Sequence, residues 1–208
     1  MEKGFTVTYE YGGNLYVNTT NRCNFACNFC LRHNKKSNGS IYNDNLWLIR
    51  EPTREEILAS IEGWGDLTKY KQLVFCGFGE PSYRIDDICW VIDRLKERGE
   101  KIFTRMDTNG TGSLIHGRNI APMYKDRFDM VSISLNEDCA EKYNALCHPQ
   151  QEGAYEAMKA FARELTGYVP TVMMTVVDTI SPEEIENCRR ICEEEVGATY
   201  RVREYIAD

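Results

Sequence analysis

The chain has 208 residues, 42% hydrophobic and 27% charged, with a formal net charge of −7. That size and balance fit one globular domain over 1–208 and exclude a disordered chain, and a negative charge without a Lys/Arg stripe argues against nucleic-acid phosphates as partners. The opening MEKGFTVTYEYGG lacks the basic and apolar segments of a signal peptide, and no run approaches the roughly 18 apolar residues of a membrane span. A cytoplasmic protein without membrane contact is expected. In that reducing compartment nine cysteines, an odd number, point to metal or redox chemistry rather than a disulfide framework.

In chain order, TVTYEYGGNLYVNTT alternates around Gly12-Gly13-Asn14 and predicts a hairpin whose second arm, Leu15 to Thr20, enters the core. A cysteine-rich loop follows, then a polar, Gly/Asn-rich exposed segment over 33–46. TREEILASIEG, with Thr53 as N-cap and Glu56 three residues on, is a capping-box helix start. QLVFCG (72–77) reads as a buried strand, leading through GFGEPS into an amphipathic helix that ends at Gly99. The alternation continues with a strand at KIFTRMD, a loop at TNGTG, a short helix near 118–124 and a strand at FDMVSISL. A helix or helices through 138–165, a strand at YVPTVMMTVV, a helix at SPEEIENCRRICEEEVG and a strand at TYRVREY complete it. Six strands alternating with helices predict a parallel α/β sheet, either open and doubly wound or an incomplete barrel. In both arrangements functional groups collect at the carboxyl ends of the strands, where the cysteine, GFGEP, DTNG and SLN segments fall.

Cys23, Cys27 and Cys30 have the spacing C-x3-C-x2-C and no fourth cysteine nearby. A structural zinc site would need completion by a distant group such as Cys76 or His33. A cubane iron–sulfur cluster on three thiolates would instead leave one iron open to an exogenous ligand. GFGEP has a bland reading as a strand-to-helix turn with Ser82 as N-cap, and Ser134 and Asn136 could cap a helix starting near Asp138. Cys188 and Cys192, four apart in an amphipathic pattern, read as core, and no second cluster is expected. His33, His116 and His148 are isolated, while Arg84, Arg105, Arg201 and Arg203 are placed where they could bind a carboxylate.

The cysteine spacing, with Phe29 directly before the last cysteine, resembles the radical S-adenosylmethionine (radical SAM) superfamily. Gly79, Glu80 and Pro81 match that superfamily's Gly-Gly-Glu-Pro segment, with Phe78 in place of the first Gly. Asp107, Thr108 and Asn109 fall on its DTNG segment, and Ser134 and Asn136 on its S-L-D/N strand end. The resemblance implies an α/β fold, a partial (β/α)6 barrel with an N-terminal β-hairpin forming the radical SAM core. It implies a [4Fe-4S] cluster on the three cysteines, with Phe29 beside the adenine and the other matched residues cradling SAM. The reaction implied is reductive cleavage of SAM to a 5′-deoxyadenosyl radical that abstracts hydrogen from an unidentified substrate, which is a peptide, a partner protein or a small metabolite. A reductant such as flavodoxin or ferredoxin is implied too. Chain length, LYVNTTNRC and GFGEPSYR are most similar to the short TatD-family-associated radical SAM proteins. A core ending at residue 208 is expected to need a partner, a second subunit or a large substrate over its open side, with 33–46 as a candidate lid. The rival from another class is a zinc- or cluster-stabilised binding or scaffolding module without SAM chemistry.

Overall fold

A computed structural model of the chain describes residues 4–33, 40–41 and 44–205, so the candidate lid at 33–46 lies largely outside the described residues. The chain forms two compact units, Met1–Cys23 with Cys30–Met106 and Asn24–Phe29 with Asp107–Asp208.

In the first unit the chain folds back at Gly12 and Gly13, both at positive φ (59° and 78°), the backbone that a tight hairpin turn demands. β1 (Thr8–Tyr11) and β2 (Asn14–Val17) pair antiparallel, and the facing rings of Tyr9 and Tyr16 stack at 5.2 Å. A separate two-stranded ladder joins β3 (Ser40–Ile41) to β4 (Asp44–Asn45). α1 (Arg54–Glu62) starts as expected, with Thr53 and Glu56 forming the reciprocal capping box. β5 (Leu73–Phe75) is buried throughout, and α2 (Ile85–Glu97) lays Ile85, Ile88, Val91, Ile92 and Leu95 into the core. That spacing is one helical stripe, and each such side chain contributes about 1.5–3 kcal/mol on burial. β2, β5 and β6 (Thr104–Thr108) run parallel, so with β1 the sheet is mixed.

The second unit is built from α3 (Gly112–His116), β7 (Met130–Ser134), α4 (Ala140–Cys147), α5 (Ala154–Leu165), β8 (Thr171–Val177), α6 (Pro182–Arg190) and β9 (Thr199–Arg203). β7, β8 and β9 pair in parallel. Tyr124, Ile133, Tyr143, Met158, Leu165 and Met174 are fully buried in its core.

Two expectations are corrected and two are refined. The helix near 118–124 is a 3₁₀ turn at Ala121–Tyr124, and the α-helix lies earlier, at Gly112–His116, stopped by Gly117 in the left-handed region. The strand sought at 101–107 starts only at Thr104. The helical stretch expected over 138–165 is two helices, since His148 ends α4 at φ 46° and Pro149, which follows, cannot continue it. The last helix covers its expected segment, α6 running on as a π-helix over Ile191–Val196 before Gly197 ends it at φ 80°.

Candidate functional site

The cysteine loop leaves β2 through residues 18–22, and the first unit holds this stem from several sides. Asn18 is fully buried and its side-chain N–H groups donate to the carbonyls of Leu46 (2.8 Å) and Thr6 (3.2 Å). Thr20 and Arg22 both donate to Glu51 Oε1 (2.5 and 2.7 Å), while Arg84 reaches Glu51, Asp87 and the carbonyls of Thr19 and Pro52. Burial pushes the Glu51 carboxyl up, but hydrogen bonds from Thr20 and Arg22 and the charges of Arg22 and Arg84 outweigh it and hold it below the usual range. Arg84 is thus spent on the protein's own carboxylates and carbonyls, so the structure does not support it as a carboxylate-binding group for a ligand.

Gly79 approaches this stem so closely that a Cβ would lie 2.3 Å from the Thr20 carbonyl oxygen and 2.6 Å from that of Arg22. Here the missing side chain admits the protein's own loop. Next to it the Glu80 backbone N–H donates to the Arg22 carbonyl at 2.7 Å. The Glu80 carboxylate, 3% exposed, accepts from the Ser82 N–H at 3.0 Å and opens the 3₁₀ turn Pro81–Arg84. Ser82 is therefore not the cap; Glu80 is. Cys23 and Cys30 are half-buried, and Tyr83 lies near enough to Cys23 for that thiol's charge, after burial, to raise the phenol.

The middle of the loop, residues 24–29, belongs to the second unit and is tied to the end of α4. The last carbonyls of a helix have no partner within it. Here the backbone N–H of Asn28 donates to Leu146 (3.0 Å), that of Ala26 to Cys147 (3.1 Å), and the Cys27 thiol points to the Cys147 carbonyl at 3.7 Å. Phe25 is buried edge-on against Tyr143 with centroids 5.9 Å apart, and His148 Nε2 pairs with Asn28 Oδ1 at 3.0 Å. His148, isolated in the sequence, thus braces the loop. Cys27 and Phe29 are half-buried.

Asn24 is fully buried. Its amide donates to Thr111 Oγ1 (2.9 Å) and Gln151 Oε1 (2.8 Å), and its Oδ1 accepts from Asn109 (2.9 Å). Asn109 Oδ1 accepts in turn from the N–H and hydroxyl of Thr111, and Thr108 Oγ1 accepts from the Gly110 N–H. The DTNG segment therefore turns on its own side chains and spends Asn109 on the cysteine loop. Asp107 and Ser134, at the ends of β6 and β7, are half-buried. Asn136 is 3% exposed at φ 63°; its N–H group meets the Cys147 sulfur at 3.3 Å and its Oδ1 is buried without a hydrogen-bond partner. It does not cap α4, which starts after Cys139 with no side-chain cap.

Sequence reasoning missed Asn24, Phe25 and the carboxylates Glu137, Asp138 and Glu184, whose ligand oxygens lie within 4.8 Å of one another. Asp138 and Glu184 flank helix N-termini and share Lys142 (3.0 and 2.6 Å), and Glu184 closes the Ser181 capping box of α6. Their charge has a structural use. Glu137 differs: it is 7% exposed with Oε2 unpartnered, and burial together with Glu184 and Asp138 raises its pKa. Cys188 and Cys192 are core thiols, pushed up to about 12 and about 11 chiefly by burial. No helix among the described residues is long and apolar enough to cross a membrane.

An α/β fold with a mixed sheet and a braced three-cysteine loop after its first parallel strand is the architecture of a SAM-radical core. The family model described as the radical SAM superfamily matches residues 17–192, and the chain belongs to that superfamily. Membership implies an enzyme that uses an iron–sulfur cluster and SAM. No curated protein matches the chain. Among solved structures it is similar to Streptococcus suis SuiB bound to precursor peptide SuiA, with 16% identity, TM-score 0.67, and 92% of this chain and 39% of that one covered. The same protein bound to S-adenosylmethionine gives 17%, 0.61, 92% and 38%. Methylornithine synthase (PylB) gives 12%, 0.56, 94% and 55%. The chain thus spans between about two fifths and just over half of these proteins' lengths.

Proposed function

We propose that the chain is a single catalytic core in which Cys23, Cys27 and Cys30 hold three irons of a [4Fe-4S] cluster and the fourth iron takes the amine and carboxylate of SAM. The observation that carries this is the loop itself: three half-buried thiols at C-x3-C-x2-C spacing, on a loop whose stem is met by Gly79 and Glu80. The donor set fits the group, since three soft thiolates suit an iron–sulfur cluster. The buried Asn136 Oδ1 fits a cofactor donor group, because a buried acceptor left unpaired costs about 1–3 kcal/mol. When bound, the cluster and SAM supply one-electron reductive cleavage to methionine and a 5′-deoxyadenosyl radical.

The chain's own residues bind and orient. With SAM bound, Phe29 would border the adenine, Asp107 and Ser134 would contact SAM, and Gly79, Glu80, Pro81, Thr108 and Asn109 would shape the loops around it. The substrate is a peptide, a partner protein or a small metabolite, the electron donor is a flavodoxin or ferredoxin, and the motif resemblance is to the short TatD-family-associated radical SAM proteins. Anaerobic reconstitution tests this reading. Brown protein with iron and sulfide that yields 5′-deoxyadenosine under strong reductant supports it. Colourless protein with stoichiometric zinc supports a metal-stabilised module instead.

A further inference from the structure

Resting on that reading, we propose that Asn24 and Asn109 are positioning residues: a buried amide latch that fixes residues 24–29 and, through them, the Cys27 thiolate. Neither carries a reacting atom. Asn24 spends both side-chain donors and its acceptor on Thr111, Gln151 and Asn109, and its backbone carbonyl accepts from the Gln150 N–H at 2.9 Å. These bonds reach 85 to 127 residues along the sequence. They join the loop that carries Cys27 to the segment after β6 and to the turn between α4 and α5.

Only an amide fits the centre of this latch. Thr111 gives its proton to Asn109 Oδ1 and must receive one from Asn24, so the direction of each bond follows from the next. A carboxylate at position 24 would put an acceptor oxygen where a nitrogen with two N–H donors is needed, and alanine would take the donor from Thr111 and Gln151 and the acceptor from Asn109. Asn109 thus couples the DTNG segment to the cysteine loop, so a ligand that shifts one shifts the other. This places Asn109's side chain behind the cofactor's surroundings rather than in contact with it.

The test uses the whole chain. In apoprotein, Asn24→Ala is expected to speed hydrogen exchange at the Ala26 and Asn28 amides by about tenfold, the effect of losing one to two net hydrogen bonds. Gln151→Ala removes a single bond, leaves the amide pair of Asn24 and Asn109 in place, and is expected to give a smaller change in the same direction. In reconstituted protein, Asn24→Ala should lose iron to a chelator faster and shift the midpoint potential and EPR signal of the reduced cluster, which a general loss of stability would not move. Unchanged exchange and an unchanged cluster signal in both variants would overturn the latch. A wild-type chain that takes up no cluster would defeat the functional reading, while the exchange data would still decide the latch.

Discussion

Replacing Gly79 with alanine tests how the cysteine loop is built. The new Cβ would sit 2.3 Å from the Thr20 carbonyl oxygen, against 3.4 Å for an ordinary contact, and 2.6 Å from the Arg22 oxygen. Both obstacles are backbone, and Thr20 is pinned by Glu51 and Arg22 by Glu51 and Glu80. Relief requires the 3₁₀ turn after Gly79 or the stem of the loop to move, losing the Glu80 N–H to Arg22 bond. Overpacking of this kind costs about 1–3 kcal/mol, and with no flexible neighbour the upper end is expected. At about 2–4 °C per kcal/mol for a chain of this size, Gly79→Ala should lower Tm by about 6–12 °C. Gly167→Ala, which meets only the Glu164 oxygen at 3.5 Å, is the control and should stay within about 0.5 kcal/mol. Urea unfolding and iron content after reconstitution are the assays. If Gly79→Ala unfolds with Gly167→Ala and binds the same iron, the close approach does not support the loop.

Other outcomes follow from the charges and thiols. Because the folded Glu51 carboxyl lies below its ordinary value, its contribution is present above the unfolded pKa and is lost as pH falls through the folded one. Glu51→Gln should therefore cost about 0.5–1 kcal/mol at pH 7 in urea unfolding and little at pH 3; an equal loss at both would contradict the assignment. Glu137 has the opposite sign, since a raised carboxyl keeps its stability below the unfolded pKa and loses it as pH rises through the folded value. Glu137→Gln should gain about 1 kcal/mol at pH 8, read as Tm, with the gain fading toward pH 4. Cys27→Ala should abolish 5′-deoxyadenosine formation, whereas Cys188→Ala, a buried core thiol, should reduce stability and leave that chemistry in place.

Much of the fold was legible because local chemistry and tertiary contacts agree. Thr53 with Glu56 writes its capping box in four letters, and Gly12-Gly13 between alternating residues can only turn. In the site and around Gly110, the misses lie where a distant partner decides. TNGTG looks like loop, yet Gly110 packs against Met158 and Ile133, where a Cβ would come within 2.8–2.9 Å, and α3 starts two residues on at Gly112. In the site, the cysteines and the matched segments stand out in sequence, but the direction in which their side chains work does not. Asn109 and Gly79 look like ligand contacts when read alone, and only the positions of Asn24, Thr20 and Arg22 show what they touch. Asn24 and Phe25 carry a faint signal, a polar and an aromatic residue between two cysteines, that means nothing until α4 is beside them.

The most direct test is the EPR spectrum of anaerobically reconstituted, reduced protein before and after SAM labelled with ¹⁵N and ¹⁷O on its amine and carboxylate. The account predicts that SAM changes the signal and that both labels couple to the cluster. A spectrum indifferent to SAM, or a fourth protein ligand on the cluster, would contradict it.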